Sequence, residues 1–105
     1  MKILFEQGVP VPLRKFLTGL AVSTAFENGW SELANGELLE AAESRFDVFV
    51  TTDQNLKYQQ NLSGRHLSIL ILPTTNWPRL KDHTGLIVQA IGGLSPSDFV
   101  ELRLP

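Results

Sequence analysis

Two acidic residues close apolar runs. Glu6 follows Ile3-Leu4-Phe5, and Asp53 follows Val48-Phe49-Val50-Thr51-Thr52. Apolar runs this short, rich in β-branched and aromatic residues, read as buried strands rather than helices. Open parallel sheets bind ligands outside the carboxyl ends of their strands, so each acid stands at an exit point. If the first and third strands are neighbours, the two carboxylates converge. Two unit charges about 4 Å apart repel by roughly 4 kcal/mol at an effective dielectric near 20. That is a large share of the roughly 5–15 kcal/mol that holds a domain together. A shared proton, a basic partner or a metal ion would offset it. A divalent cation on oxygen ligands is the simplest of these, and Mg²⁺ or Mn²⁺ suits carboxylate and water.

Each acid also has a plain structural reading. Glu6 can be a solvated strand end. Asp53 can start a turn or cap a helix ahead of Asn55 and Leu56, and Asn55 is itself a turn residue. A third acid, Glu37, falls in the first turn of a helix opened by Asn35-Gly36. An acid there stabilises the macrodipole with no further role, although the loop before it can aim it toward the other two.

The elements that must position these residues alternate. Lys2 to Phe5 reads as a strand. Pro12 sits in the first turn of a helix with Leu13, Phe16, Leu17 and Leu20 on one face, Arg14 and Lys15 on the other, and Gly19 at its end. Ala21 to Phe26 is a second strand. Leu38, Leu39, Ala42 and Phe46 form the stripe of the next helix, with Glu40 and Glu43 toward water. The run 47–52 is a strand buried on both faces, as in a parallel sheet. Asn55 to Tyr58 makes one helical turn, and Ser63-Gly64 makes a turn. Leu67 to Leu72 is another buried strand. One last helix starts at Pro78, with Leu80, Leu86, Ile87, Ala90 and Ile91 inward, and Phe99 to Leu104 alternates as an edge strand. The order is that of a three-layer α/β/α domain spanning 1–105, with a mostly parallel central sheet of about five strands and right-handed crossovers.

The 105 residues suit one domain with one real core. Cysteine is absent, which excludes disulfides, thiolate metal sites and cysteine nucleophiles. A net charge of −2 argues against a generic nucleic-acid coat. The first 52 residues carry four Lys/Arg against seven Asp/Glu, and the rest carry five against four. This allows an acidic site with a mildly basic rim. With no basic stretch leading into an apolar one at the start, and no apolar run near 18 residues, the expectation is a cytoplasmic protein without signal peptide or membrane span.

Several segments together resemble a PIN-like domain: Met1-Lys2-Ile3-Leu4-Phe5-Glu6, Val9-Pro10, Asn35-Gly36-Glu37-Leu38-Leu39, Val50-Thr51-Thr52-Asp53-Gln54-Asn55, Ile69-Leu70-Ile71-Leu72-Pro73 and Glu101-Leu102-Arg103-Leu104-Pro105. The chain is most similar to the short bacterial branch related to VapC-type toxin ribonucleases. The resemblance implies a metal-dependent endoribonuclease, a phosphodiesterase with Mg²⁺ or Mn²⁺ held by Glu6, Glu37 and Asp53 as catalytic acids and Asn55 as a further polar ligand. It implies single-stranded RNA as substrate, a small antitoxin protein as partner, and a homodimer. Lys57, Arg65, His66, Arg79 and Lys81 are the residues available to a phosphate backbone; as a group they also read as scattered solvated charges. Trp30 and Trp77, placed in loops, suit base stacking, a core cap or a dimer contact.

The chain departs from that family at two places. The usual Asp-Glu-Asn after the first strand is Glu6-Gln7-Gly8, and the usual Asp two residues before Glu37 is Asn35. Two charges expected near the metal are thereby removed, so a catalytically degenerate PIN-like interaction module is the runner-up. A phospho-acceptor receiver domain is a more distant rival. It needs adjacent acids after the first strand and a late Lys-Pro, and neither is present.

Overall fold

Three runs of β-branched and large apolar side chains form the centre of the sheet. β1 (Lys2–Phe5), β3 (Val48–Thr51) and β4 (Ser68–Ile71) are buried almost throughout. The computed structural model describes residues 1–59 and 64–105. In it β2 (Ala21–Thr24) and β5 (Phe99–Glu101) flank these three, giving one five-stranded sheet in the order β2-β1-β3-β4-β5 with every pair parallel. Helices lie on both faces, so the architecture is three-layer α/β/α, as the alternation of elements implies.

The two-residue period of a strand divides the side chains between two cores. Ile3, Phe5, Val48, Val50, Leu70 and Leu72 point to one face. There they meet Leu13 and Leu17 of the 3-10 helix Val11–Phe16, Leu80 of α3 (Trp77–Lys81), and Ile87 and Ile91 of α4 (Thr84–Gly92). Leu4, Phe49, Ile69 and Ile71 point to the other face. They pack on Leu38, Leu39 and Ala42 of α1 (Asn35–Glu43) and Leu56 of α2 (Leu56–Gln59).

Local chemistry explains where these elements differ from the expectations. The first helix is 3-10 rather than α. Pro10 and Pro12 supply no N–H, and the turn closes through i→i+3 bonds from Leu13 N to the Pro10 carbonyl and from Leu17 N to the Arg14 carbonyl. Gly19 then turns the chain at φ +82°. The helix expected from Pro78 onward is two helices. Lys81 to Gly85 contains no apolar residue, so a continuous helix would bury nothing over that turn, and glycine lowers helix propensity further. Leu86, expected inward, is exposed. Glu43, expected to face water, is half-buried and accepts hydrogen bonds from the backbone N–H groups of His66 and Leu67. β2 is shorter than expected and leaves Phe26 in the turn after it. Of the turn expected at Ser63-Gly64, Ser63 lies outside the described residues, and Gly64 has φ +77°.

The crossovers do not all share one hand. The chain runs from β1 to its neighbour β2 across the face of the 3-10 helix, and from β2 to β3, in the reverse direction, across the face of α1. Those two moves have the same sense. From β4 to β5 it continues in the direction of β2 to β3, but over the opposite face, through α3 and α4. That last connection has the other sense, which departs from the strong rule for parallel crossovers. It sets α3 beside the 3-10 helix, where Phe16 and Trp77 meet at 6.0 Å between ring centroids.

Candidate functional site

In this strand order the chain leaves β1 toward β2 and returns to β3 on the other side. The topological switch point therefore lies between β1 and β3, and the crevice outside their carboxyl ends is where such sheets bind ligands. Glu6 follows β1 and Asp53 follows β3, so both flank that crevice.

One hydroxyl joins them. The fully buried Thr51 donates from Oγ1 to Glu6 Oε1 at 2.9 Å and accepts from the Asp53 N–H at 3.1 Å. Glu6 Oε2 accepts from the Gly8 N–H at 2.9 Å. Asp53 Oδ2 accepts from Asn35 Nδ2 at 2.7 Å, and its Oδ1 accepts from the Asn55 N–H at 2.9 Å. Neutral donors thus surround both carboxylates, and among the described residues neither acid has a cationic partner. Each oxygen keeps a second lone pair. Two half-buried carboxylates with free lone pairs are a hard oxygen set that fits Mg²⁺, which is commonly held by one or two carboxylates with water and substrate phosphate completing its shell.

Two of the sequence departures acquire a physical reason here. Asn35 sits where an acid would face Asp53; its amide donates a hydrogen bond that a carboxylate could not. At Gly8, a Cβ would come within 2.3 Å of Thr52 Oγ1 and 3.1 Å of Glu6 Oε1. A side chain there would displace Thr52 and crowd the Glu6 carboxylate. Sequence reading missed Thr51, Gly8 and the donor role of Asn35. The available signal was a threonine within an otherwise apolar, doubly buried strand, where its hydroxyl must find partners.

Glu37 is not brought into this group. Its exposed carboxylate turns back on its own helix start and accepts from the Ala34 N–H at 3.2 Å. The reason is helical phase. Asn35 faces Asp53, and a residue two positions later lies on another side of the helix. Among the described residues no group of three or more His, Asp or Glu is arranged to hold a metal ion, so the three-acid set reduces to the pair Glu6 and Asp53. Asn55 stands in the turn beside Asp53 with its side chain exposed.

The basic residues divide between the two ends of the sheet. Arg65 and His66 lie just before β4, at its amino end, a strand's length (about 13 Å for four residues) from the crevice end. They do not share the acids' crevice. Arg79 and Lys81 are exposed on α3, beyond the carboxyl end of β4. Lys57 Nζ is bonded to Glu101 Oε1 at 2.6 Å, and that hydrogen bond raises its pKa. On the other flank, the hydrogen bond from Arg14 lowers the pKa of Glu27. Trp30 caps the α1-side core, edge-on to Phe46 with the Arg45 guanidinium 5.3 Å from its ring centroid, and Trp77 opens α3 rather than lying in a loop.

Thr51→Val preserves shape while removing the hydroxyl that serves both acids. The expected loss is about 1–3 kcal/mol of stability, because polar groups at the base of the crevice lose their partner. Urea denaturation checks it, and an unchanged midpoint would mean that the hydroxyl bridge contributes nothing.

The fold and site define a doubly wound parallel α/β protein in which the Thr51 hydroxyl links the Glu6 carboxylate to the Asp53 backbone N–H at the switch-point crevice. In comparison with known proteins, no family model, no curated protein and no solved structure matches this chain. Among the described residues no helix is long and apolar enough to cross a membrane.

Proposed function

We propose that this chain is a PIN-like, Mg²⁺- or Mn²⁺-dependent phosphodiesterase that cuts single-stranded RNA in the cytoplasm, as the toxin half of a toxin–antitoxin pair with a small antitoxin protein as its inhibitor. The observation that carries the reading is the Glu6–Thr51–Asp53 bridge at the switch-point crevice. The motif order along the chain supports it further. Glu6 and Asp53 would hold the ion; Thr51 sets the spacing between them; Asn35 and the Gly8 N–H orient their carboxylates. When bound, such an ion supplies Lewis-acid stabilisation of a phosphate and a more acidic water. With two protein ligands rather than three, more of the shell is left to water and RNA phosphate.

A second reading, a non-catalytic PIN-like module that binds a partner, is favoured by the separation of Glu37 from the acid pair. The two readings divide on one experiment. Purified protein is incubated with end-labelled single-stranded RNA in Mg²⁺, in Mn²⁺ and in EDTA, and Mn²⁺ is titrated into the protein alone by calorimetry. The nuclease reading expects a binding heat, and cleavage that stops in EDTA. Neither heat nor cleavage would leave the binding module.

A further inference from the structure

We infer that a short stretch of single-stranded RNA lies across the carboxyl end of the sheet with one base stacked on Phe26 and another on Tyr58, a placement that rests on the nuclease reading for its substrate class. Tyr58 and Phe26 are the most exposed large hydrophobic side chains among the described residues, at 77% and 75%. Both are aromatic, and both stand at the end of the sheet that carries the acids.

Phe26 follows the carboxyl end of β2. It lines a groove of about 370 Å³ together with Val9, Val11, Arg14, Glu27 and Glu6, so the groove reaches the first of the two acids. Tyr58 lies on the other flank. Its ring centroid is 5.1 Å from Lys57 Nζ, which is bonded to Glu101 at the carboxyl end of β5. Along the carboxyl end of the sheet the order is therefore aromatic, acid, acid, aromatic, with Phe26 on the side of the 3-10 helix and Tyr58 on the side of α2. Four strand spacings of about 4.8 Å put roughly 19 Å between β2 and β5, room for a few nucleotides of extended chain.

The chemistry of the two flanks suits bases rather than a charged side chain. A base is neutral and flat, and rings of this kind stack any base without sequence preference. Each flank also carries a cation held in a partly exposed ion pair: Arg14, which lines the same groove as Phe26, with Glu27 at 3.1 Å, and Lys57, beside Tyr58, with Glu101 at 2.6 Å. These are the two ion pairs among the described residues. Pairs this open to solvent contribute little to folding, so Lys57 can leave Glu101 for a phosphate without loss of the fold.

The test reads binding alone. Anisotropy of a fluorescein-labelled uridine hexamer is measured in EDTA, where metal-dependent cleavage cannot intervene. Phe26→Ala and Tyr58→Ala are each expected to raise Kd about fivefold or more, and the double variant to multiply the two effects. Phe26→Trp keeps the wild-type affinity, and Val88→Ala, exposed on α4, changes nothing. No binding by the wild type, an unchanged Kd in both alanine variants, or an effect at one ring alone overturns the placement. Failure of this placement and failure of the nuclease reading give different results. Hexamer binding through both rings with no cleavage in Mg²⁺ or Mn²⁺ removes the nuclease and leaves the surface. Cleavage with KM unmoved in both variants removes the surface and leaves the nuclease.

Discussion

Asp53→Asn is expected to lower metal-dependent RNA cleavage by about 100-fold or more while leaving the protein folded. The substitution keeps the side chain's shape and removes its charge. A carboxylate offers acceptors on both oxygens; an amide offers one oxygen and one NH₂. The new NH₂ must therefore face either Asn35 Nδ2 or the Asn55 N–H, both of which are donors. One hydrogen bond is lost, about 1 kcal/mol of stability. The catalytic loss is larger because charge stabilisation by a bound ion contributes several kcal/mol, and each 1.36 kcal/mol is a factor of ten in rate. Cleavage rates in Mn²⁺, with circular dichroism as the folding control, check this. Equal rates in the two proteins would remove Asp53 from the chemistry.

Phe49→Ala is expected to cost about 3–5 kcal/mol of stability. Phe49 is fully buried at the middle of β3, which pairs with β1 on one side and β4 on the other. It packs among Leu38, Leu39, Ala42 and Leu56 under the α1-side helices. Truncating a buried phenylalanine leaves a cavity that a strand hydrogen-bonded on both edges collapses poorly to fill. The loss is a large fraction of the roughly 5–15 kcal/mol available to a domain. With urea slopes of about 1–3 kcal/mol/M for small proteins, the midpoint falls by more than about 1 M. β3 also carries Thr51 and leads into Asp53, so any Mn²⁺ heat of the wild type should weaken in the same variant. A loss below about 1 kcal/mol would contradict the packing described for Phe49.

Much of this protein is written in local pattern. The runs at residues 3–5, 48–51 and 68–71 mark strands because their side chains suit a surface buried on both faces, and Leu38, Leu39 and Ala42 mark α1 because they share one side at helical spacing. Glu6 and Asp53 are legible for the same reason, since the acid ending an apolar run has to emerge where the strand does. The break between α3 and α4 was not read from the sequence, although the five residues from Lys81 to Gly85 give a helix nothing to bury.

What joins the acids depended on register and phase. Thr51 bridges Glu6 and Asp53 because β1 and β3 pair with Leu4 opposite Phe49 and Phe5 opposite Val50, bringing two strand ends 45 residues apart level with one another. A shift of one residue would turn Thr51 to the opposite face of the sheet. Asn35 reaches Asp53, and Glu37 does not, by the rotation of two residues on a helix. Arg65 and His66, read as available to a phosphate backbone, precede β4 and so stand at the amino end of the parallel sheet, away from the acids at its carboxyl end. Composition and spacing therefore determined which residues are strand-bound, helix-bound and acidic at an exit. Strand order and helix phase alone decided which of them meet, because hydrogen bonds between distant segments form only once the backbones that carry them are set at contact distance.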